Sequence, residues 1–452
     1  MSLAQAALQM AGTASAGADA VHFGRVVIDS RQAAAQDLFF ALPGPRFDGH
    51  DFLTDVQRAG AAGAVVERVG TSSLPTIRVQ STRRALGRLG AAWRRERALR
   101  VVAVTGSNGK TTVKEMVRAV LETAGSVHAT RGNLNNDIGV PLSLLGLRAQ
   151  HRFGVFELGM NAPGEIAYSA GLAAPDVAVI TNAAAAHLEG LGSVAAVAAA
   201  KGEIIDALPE AGVLVVNRDD HFFYQWRARA GARRVVSFGV DSAADVTGVV
   251  EMAPDGVRLR VSAPALGVAD FPLRLRLLGI ANARNALAAV AVGLLHGCAP
   301  QAIAAALAGI EPVPGRLALL AARGNARLID DSYNANPGSA RAALEAITAL
   351  PGRKVLLLGD MAELGDNSEA LHRELGMFAR GRIDRLCGMG ELAGAAATGF
   401  GTPQDRFASL DALLAAAQSE LRPGTVILVK GSRSARMERV VEALREPAGR
   451  EG

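Results

Sequence analysis

An apolar run that ends in a glycine-rich turn and continues as a helical pattern constrains this chain more than any other stretch. Residues 101–104 read Val-Val-Ala-Val, and residues 105–112 read Thr-Gly-Ser-Asn-Gly-Lys-Thr-Thr. Apolar residues then recur at helical spacing, at Val113, Met116, Val117, Val120 and Leu121. The stretch predicts a buried strand, a phosphate-binding loop and a helix.

The parts of this loop have separate physical roles. Gly106 and Gly109 permit a tight turn whose backbone N–H groups point at a polyphosphate over the helix N-terminus. Lys110 adds a positive charge for the terminal phosphates, and Thr111 stands where a hydroxyl usually completes Mg²⁺ coordination. The first glycine of the general pattern would fall at Val104, and the alternative is a glycine turn with a surface lysine. The nucleotide-binding candidates of the loop are Gly106, Ser107, Asn108, Gly109, Lys110, Thr111 and Thr112.

Length and composition narrow the class of protein. A chain of 452 residues corresponds to roughly three domains. Its charge of +5 comes from scattered residues, and with 4% aromatic side chains we expect no nucleic-acid partner. Cys298 and Cys387 form neither a disulfide framework nor a zinc spacing. The N-terminus lacks a secretory pattern, and the most apolar helical run, 286–295, is too short to cross a membrane. We therefore expect a cytoplasmic monomer without a membrane partner.

Alternating strand and helix signals predict an α/β protein of three domains. We expect a small N-terminal α/β domain over 1–99, a central phosphate-loop domain with a parallel sheet over 100–312, and a C-terminal Rossmann-like α/β domain over 313–452. Period-two alternation at 245–278, broken by Ala-Pro-Asp-Gly, predicts a β-hairpin insertion in the central domain. The strand candidates are 25–28, 37–42, 64–66, 76–79, 153–156, 177–180, 212–216, 327–330, 354–358, 385–387 and 426–429.

Polar residues follow two of the central strands directly. Glu157 comes after 153–156, and Thr181 and Asn182 come after 177–180. Ligands of such sheets bind at the carboxyl ends of the strands, where a carboxylate can hold Mg²⁺. Glu157 is therefore a metal-ligand candidate, with a surface acid on a loop as the alternative.

Four further polar residues of the central region are less specific. His187 lies just past a strand end, where it is either a structural histidine or a metal ligand. Lys201 follows an alanine-rich helical run and by itself indicates a solvated lysine. Asn282 and Asn285 share a helical face and can offer paired amides to a base or a phosphate, although capping explains them as well.

Candidates outside the central region rest on their position beside strands and linkers. Arg316 follows the Pro-rich linker 311–315 and could reach a phosphate across a domain cleft. Asp331 ends a strand, where it could accept hydrogen bonds from ribose hydroxyls. The polar loops 29–31 and 46–51 lie beside strands, as ligand contacts often do, but capped turns explain them equally well.

Seven polar motifs together are more specific than any of them alone. They are residues 105–111, 131–137, 157–160, 187–190, 201–203, 330–337 and 430–433. In this order they resemble the Mur ligases, along nearly the whole chain. The resemblance implies ATP-driven amide formation in cytoplasmic peptidoglycan precursor synthesis. The run 331–336, the turn 359–365 and the loop 47–50 are similar to the member that adds D-alanyl-D-alanine to UDP-MurNAc-tripeptide through an acyl phosphate.

The resemblance also implies a catalytic set of four residues. Lys110 and the loop amides would hold the β- and γ-phosphates of ATP, and Thr111 would hold one Mg²⁺. Glu157 and His187 would bind a second Mg²⁺. Lys201 matches the family lysine that is carbamylated, which would make it a carboxylate-like group in the metal site. This expectation replaces the interpretation of Lys201 as a solvated lysine.

Roles in substrate binding follow from the same resemblance. Asn285, Arg316 and Asp331 would contact adenine, phosphate and ribose, with Asn282 beside them. The C-terminal domain would close over ATP and bring the incoming amine. One departure is the run Ala183–Ala186 before His187, where the family more often has glycine and proline. The substrate-binding candidates are Ser30, Arg31, Asp48, Gly49, His50, Asn133, Asn334, Asn336, Asp360 and Lys430.

Two alternatives remain at this point. A related ligase that adds a single amino acid would share every ATP residue named above. A nucleotide-gated switch would also use the phosphate loop, but it would need neither Glu157 nor Lys201. We favour the ligase, because a switch has no use for three domains that converge on one cleft.

Overall fold

Three β-sheets, each flanked by helices, follow one another along the chain. The structure is a computed structural model that describes residues 1–68 and 73–446. The first sheet has five strands, the second nine and the third six. The α/β fold class with three domains is confirmed, while the domain boundaries at 99/100 and 312/313 stay predictions.

The first sheet has the strand order β1-β5-β4-β3-β2, parallel except for β1. The predicted strands are present, and the sequence patterns missed β1. The elements are α1 (Leu3–Met10), β1 (Thr13–Ala14), β2 (Arg25–Val27), β3 (Asp37–Phe40), α2 (Leu53–Arg58), β4 (Gly63–Val66), β5 (Thr76–Arg78) and α3 (Thr82–Arg95).

The second sheet carries the phosphate loop after its strand β6, which lies between β8 and β9. Its order is β14-β13-β12-β11-β10-β9-β6-β8-β7. The strands are β6 (Arg100–Thr105), β7 (Val127–Ala129), β8 (Phe153–Glu157), β9 (Val177–Ile180), β10 (Val213–Asn217), β11 (Arg234–Gly239), β12 (Val246–Ala253), β13 (Gly256–Ala263) and β14 (Val268–Leu275). The helices are α4 (Lys110–Glu122), α5 (Gly139–Leu145), α6 (Glu165–Ala173), α7 (Leu188–Leu191), α8 (Val194–Gly202), α9 (Phe223–Ala230), α10 (Ile280–Leu295) and α11 (Pro300–Ala308).

The helix after the phosphate loop is held by its apolar face. The five residues predicted to form that face, from Val113 to Leu121, are completely buried. They join one hydrophobic cluster with Val102 and Val104 of β6 and with much of α10. The strand–loop–helix prediction is confirmed, and burial of this face on both sides fixes where the loop stands.

The predicted hairpin insertion is larger than its sequence pattern indicated. β12, β13 and β14 form an antiparallel run of three strands, and β12 pairs in parallel with β11, so the run extends the main sheet. The pattern found the turn at 254–255 correctly. It missed β11 and the short edge strand β7, which has only three residues.

The third sheet has the order β15-β16-β20-β17-β18-β19, parallel except for β15. β15 and β19 are edge strands that the sequence patterns missed. The elements are β15 (Ala318–Ala321), β16 (Arg327–Asp331), α12 (Pro337–Thr348), β17 (Arg353–Gly359), α13 (Ser368–Ala379), β18 (Arg385–Met389), α14 (Glu391–Phe400), β19 (Arg406–Phe407), α15 (Leu410–Gln418), β20 (Thr425–Lys430) and α16 (Glu438–Leu444). Across the described residues, no helix has the length and apolarity needed to span a membrane. Both cysteines are free and buried.

Candidate active site

A cleft of about 530 Å³ lies where the carboxyl ends of the second sheet face the third sheet. Eleven candidate residues from both regions line it, besides four others of the phosphate loop: Lys110, Glu157, His187, Lys201, Asn282, Asn285, Arg316, Asp331, Asn334, Asn336 and Lys430. Ser107, Asn108, Gly109 and Thr112 line it as well, while Gly106 and Thr111 lie behind this surface. Residues from two distant parts of the chain therefore share one cleft.

The phosphate loop uses its two glycines where side chains cannot fit. Gly109 has φ +81 and precedes α4, and a Cβ atom there would lie 2.5 Å from Asn285 Oδ1. A Cβ atom on Gly106 would lie 1.8 Å from Thr181 Oγ1. The close approach of Thr181 after β9 and of Asn285 on α10, as well as the turn itself, requires glycine at both positions.

The backbone N–H groups of the loop differ in part from the prediction. Those of Ser107 and Asn108 donate to Asn182 O and Asn182 Oδ1, each at 2.9 Å, so Asn182 holds the loop shape. The prediction that they point at a phosphate is wrong for these two. A helix start leaves its first N–H groups without intrahelical partners, and here those groups belong to Lys110, Thr111 and Thr112.

A continuous chain of polar contacts joins the two sides of the cleft. Arg316 Nη2 donates to Thr111 Oγ1 at 3.0 Å, and Thr111 Oγ1 donates to Glu157 Oε2 at 2.8 Å. Glu157 Oε1 accepts from Asn135 Nδ2 at 2.7 Å. Glu157 is 2% exposed, so these contacts hold its charge in place. The reading of Glu157 as a surface acid is wrong.

The donor set around this carboxylate suits Mg²⁺. A hydroxyl and a buried carboxylate supply oxygen ligands, and Mg²⁺ commonly takes one or two carboxylates and completes its shell with water and substrate phosphates. The described residues contain no group of three or more His, Cys, Asp or Glu side chains that could hold a metal alone. The site at Thr111 and Glu157 therefore fits a metal that arrives with a nucleotide.

Two lysines face the cleft from different elements. Lys110 Nζ donates to Gly106 O at 2.8 Å, and burial lowers its pKa against the opposing effect of Glu157. Lys201, on α8, is only 2% exposed, and burial, followed by repulsion from Lys110, lowers its pKa well below 10.5. Lys201 is therefore a buried lysine and not a solvated one.

His187 stands at the N-terminus of α7 with φ +57. Its Nδ1 lies 2.7 Å from Glu363 Oε2, although the ring N–H does not point at this oxygen, so the contact is an ion-pair contact without a formed hydrogen bond. Burial lowers its pKa, Glu363 opposes this, and Lys110 and Lys201 add to it. His187 therefore faces a carboxylate of the third sheet's region.

The alanine run before His187 is held by contacts that need no side chain. Ala183 N donates to Asp220 Oδ2 at 2.9 Å, and Ala184 N donates to Ser107 Oγ at 2.9 Å. Burial raises the pKa of Asp220. The run Ala183–Ala186 is thus still hydrogen-bonded to the phosphate loop, although it lacks the glycine and proline that are more usual at this place.

The paired amides of α10 contact each other. Asn285 Nδ2 donates to Asn282 Oδ1 at 3.0 Å, and Asn282 Nδ2 donates to Leu278 O at 2.8 Å. Both side chains are buried and line the cleft close to Gly109. Their shared helical face is confirmed, and their contact with adenine stays a prediction.

The C-terminal candidates form a second polar cluster. Lys430 Nζ donates to Asp331 Oδ2 at 2.5 Å and to Asn334 O at 3.0 Å. Burial raises the pKa of Asp331 against the opposing effect of Lys430. Asn336 caps α12 and donates through Nδ2 to Asn108 Oδ1 at 2.8 Å, which ties the third sheet to the phosphate loop. Asp360 lies outside the cleft lining, where its carboxylate accepts from Ala393 N at the start of α14.

The N-terminal candidates lie apart from the cleft. Arg31 is paired with Asp29, and this hydrogen bonding lowers the pKa of Asp29 to about 2. Asp48 accepts from His50 N and lies 2.6 Å from His50 Nδ1, which lowers the pKa of Asp48 to about 2. Among described residues, the cleft lining includes none of Ser30, Arg31, Asp48, Gly49, His50 and Asn133. The expectation that all three domains converge on this one cleft is therefore wrong for the first.

Family models match nearly the whole chain. A model described as "Mur ligase family, catalytic domain" matches residues 21–94, "Mur ligase middle domain" matches 104–293 and "Mur ligase, glutamate ligase domain" matches 315–433. The chain belongs to the Mur ligase family. Among characterised relatives, the UDP-N-acetylmuramoyl-tripeptide--D-alanyl-D-alanine ligase of Escherichia coli is 44% identical over 93% of both chains. The Bacillus subtilis enzyme of the same name is 37% identical over 93% of both.

Solved structures of Mur ligases agree with this membership. MurF from Acinetobacter baumannii superposes with a TM-score of 0.92 at 35% identity and covers 98% of both chains. MurF from Thermotoga maritima in complex with ADP gives a TM-score of 0.82 at 28% identity, with 93% of this chain and 96% of that chain covered. A folylpolyglutamate synthase from Mycobacterium tuberculosis, at 19% identity and a TM-score of 0.64, shares the fold.

Residues that line the cleft of this Mur ligase but were not predicted as site residues from the sequence include Asn135, Asn182 and Tyr333. Asn135 lies in the motif 131–137 and contacts Glu157, whereas Asn133 of the same motif does not line the cleft. Asn182 was noted as a strand-end residue but not as the organiser of the loop. Tyr333 packs under the Arg316 guanidinium, 4.4 Å from ring centroid to Cζ, and no spacing rule indicates that contact. Glu363, of the turn 359–365, does not line the cleft but contacts His187, which does.

Proposed function

We propose that this chain is an ATP-dependent ligase that joins D-alanyl-D-alanine to UDP-MurNAc-tripeptide and forms ADP and phosphate, in the synthesis of peptidoglycan precursors. Relatives that carry the name of this reaction align with 93% of the chain. The observation that carries the proposal is the placement of Lys110, Glu157 and Lys201 around one cleft. A nucleotide switch would need only the first of these three residues.

The first chemical step activates the carboxylate of the tripeptide. One carboxylate oxygen attacks the γ-phosphorus of ATP, and the bond from that phosphorus to the β–γ bridging oxygen breaks, which gives an acyl phosphate and ADP. Lys110 supports this step by leaving Gly106 O and Ser107 O, its present acceptors, and placing its charge on the phosphates. When bound, Mg²⁺ supplies charge neutralisation on the phosphate oxygens; Thr111 would hold one ion, and Glu157 and His187 would hold a second.

The second step forms the amide. The amine of D-alanyl-D-alanine attacks the acyl carbon, the carbon–oxygen bond to phosphate breaks, and the nitrogen loses a proton. We infer that the region of the third sheet presents this amine, because Asn334, Asn336 and Lys430 line the cleft opposite the phosphate loop. Arg316 spans the gap through its hydrogen bond to Thr111, so both sides of the cleft act on the same phosphates.

We also propose that Lys201 reacts with CO₂. The neutral form of the amine attacks the carbon of CO₂ and releases one proton, so that a buried amine becomes a carboxylate-like anion. The lowered pKa of Lys201 supports this step because it favours the neutral amine, which is the form that reacts. The product would lie beside Lys110, whose positive charge now opposes Lys201 and would then stabilise it.

The site of the UDP-sugar is a proposal of a different kind. Ser30, Arg31 and the loop from Asp48 to His50 lie in short turns after β2 and β3 of the first sheet, outside the cleft, and we infer that they hold the far end of the long substrate. A substrate that consists of a nucleotide, a sugar and a peptide can reach from one region to the other. Action in the cytoplasm as a monomer, without a nucleic-acid or membrane partner, stays part of this proposal.

The test compares acceptors in a phosphate-release assay. The enzyme is mixed with ATP, Mg²⁺ and UDP-MurNAc-tripeptide, and D-alanyl-D-alanine is compared with D-alanine, L-lysine and L-glutamate. We expect phosphate release and a pentapeptide product by mass spectrometry with the dipeptide alone. Turnover with a single amino acid and none with the dipeptide would favour the ligase that adds one residue. Slow hydrolysis that no acceptor changes would favour the switch.

A further inference from the structure

A contact across the cleft links the loop after β17 to the loop after β9. The Glu363 carboxylate lies 2.7 Å from His187 Nδ1, and the carbonyl of Glu363 accepts from Glu189 N at 3.4 Å. Glu363 and its loop belong to the third sheet, whereas His187 and Glu189 belong to the second. Both the side chain and the backbone of Glu363 therefore engage the segment that presents His187.

Both partners in this contact have an uncommon backbone conformation. His187 has φ +57 and Glu363 has φ +62, and only eight non-glycine residues of 1–68 and 73–446 have positive φ. The left-handed region is unfavourable for a residue with a Cβ atom, because Cβ approaches the following carbonyl oxygen. Such strain persists only where surrounding contacts enforce it, and strained positions cluster at functional sites.

Hydrogen bonds to other elements of the third sheet's region hold the loop that carries Glu363. His372 on α13 is completely buried, and its Nε2 accepts from Met361 N at 2.9 Å while its Nδ1 lies 2.7 Å from Ser368 O. On the other side, Ser432 N donates to Asp360 O at 3.0 Å. The position of Glu363 is thus set by the packing of the third sheet, so the third sheet's region reaches His187 through a rigid support.

We propose that Glu363 is a positioning residue for His187. A carboxylate that accepts a hydrogen bond from Nδ1–H fixes the tautomer of the ring and leaves Nε2 as the ligand atom toward the metal and phosphates. The present contact needs only a rotation of the ring to align the N–H, and such contacts commonly tighten once substrate is bound. This inference rests on the metal role of His187 in the proposed function.

A consequence concerns the order of events. Because Glu363 comes from the other side of the cleft, His187 is oriented only while the two sides lie together. Closure of the cleft would then bring His187 into position as a metal ligand. The carboxylate of the tripeptide would therefore not be activated before the region that brings the amine is in place. Premature hydrolysis of ATP would be reduced by the same contact.

The variants Glu363→Gly and Glu363→Gln separate positioning from folding. Glycine removes the carboxylate and also relieves the positive φ, so the melting temperature should be unchanged or higher. Glutamine keeps an acceptor oxygen and should retain most of the function. Glu369→Gln is the matched control, because Glu369 is an exposed carboxylate on α13 that pairs with Arg373.

The readout that does not depend on turnover is pulsed electron paramagnetic resonance with Mn²⁺ and a non-hydrolysable ATP analogue. We expect a coupling from a histidine nitrogen in the wild type, in Glu363→Gln and in Glu369→Gln. We expect it to be lost in His187→Gln and strongly reduced in Glu363→Gly. In steady-state assays, the Mg²⁺ concentration for half-maximal rate should rise ~10- to 100-fold in Glu363→Gly.

Several outcomes would overturn the proposal. A nitrogen coupling and a Mg²⁺ dependence in Glu363→Gly that match the wild type would show that His187 needs no positioning. A glutamine variant as defective as the glycine variant would rule out action through the acceptor oxygen. If the double variant Glu363→Gly/His187→Gln had a far lower turnover than His187→Gln alone, Glu363 would act on something other than His187. If the wild-type enzyme shows no histidine nitrogen coupling but still forms the amide product, this inference is wrong and the proposed function is unaffected.

Discussion

The hydroxyl of Thr111 donates to the carboxylate of Glu157 at 2.8 Å, which joins the first turn of α4 to the end of the neighbouring strand β8. The same hydroxyl accepts from Arg316 of the opposite side of the cleft. Thr111 and Glu157 are the oxygen donors that would hold Mg²⁺ here, and the ion would neutralise charge on the nucleotide phosphates. The contact therefore lies where we propose that nucleotide, metal and both sides of the cleft meet.

Glu157→Gln should lower the turnover number by about 100-fold or more, because the amide keeps the volume but loses the charge that faces the metal. The melting temperature should change little, since Asn135 and Thr111 can still hydrogen-bond to glutamine. A coupled ADP-release assay and calorimetry measure the two effects. Glu122→Gln, at an exposed pair with Arg118 on α4, serves as the control and should keep full activity. Turnover near the wild-type level in Glu157→Gln would contradict the metal role.

Lys110→Ala should lower turnover by 10²- to 10³-fold, because one charge-stabilising donor to the transferring phosphoryl group is lost. The free energy of unfolding should fall by no more than about 1–2 kcal/mol, from the lost hydrogen bonds to Gly106 O and Ser107 O. Phosphate release and urea unfolding measure the two quantities. An unaffected rate would refute the phosphate role.

The proposed carbamate on Lys201 predicts a signal that depends on bicarbonate and a chemical rescue. With ¹³C-bicarbonate, the wild type should show a carbamate resonance that is missing in Lys201→Ala. The variant should be nearly inactive, and high concentrations of formate or acetate should restore part of the rate by supplying the missing anion. If the two spectra are the same and no carboxylate restores activity, Lys201 acts as a plain amine.

Gly106→Ala should impair both folding and nucleotide binding. The new methyl group would lie 1.8 Å from Thr181 Oγ1, which donates to Asn108 O within the same loop. We expect a loss of roughly 2–4 kcal/mol in unfolding free energy. Gly171→Ala is the control, because α6 leaves open space there and alanine suits a helix. Equal stabilities of the two variants would contradict the description of the loop.

Local patterns predicted the parts of this molecule that local forces decide. The phosphate loop, α4 and the buried parallel strands follow from runs of apolar residues and from glycine positions. Edge strands such as β7 and β19 were missed because two or three residues carry no period, and pairing with a neighbour decides their conformation.

Tertiary packing decides what the patterns could not show. Lys201 sits in an alanine-rich helix whose faces are chemically alike, so nothing in its neighbourhood indicated burial at 2% exposure. Glu363 was part of a recognised turn, yet its partner His187 is distant in sequence. Asp360, chosen from the same turn, holds the start of α14 instead of facing the cleft. Contacts between sheets therefore account for most of the errors in the site.

The transfer of oxygen from substrate to phosphate tests the central claim most directly. The terminal carboxylate of UDP-MurNAc-tripeptide is labelled with ¹⁸O, and the phosphate released in the complete reaction with D-alanyl-D-alanine is examined by mass spectrometry. An acyl phosphate predicts that each turnover places one labelled oxygen in the phosphate. Phosphate without label, formed at the same rate as the pentapeptide product, would contradict the account.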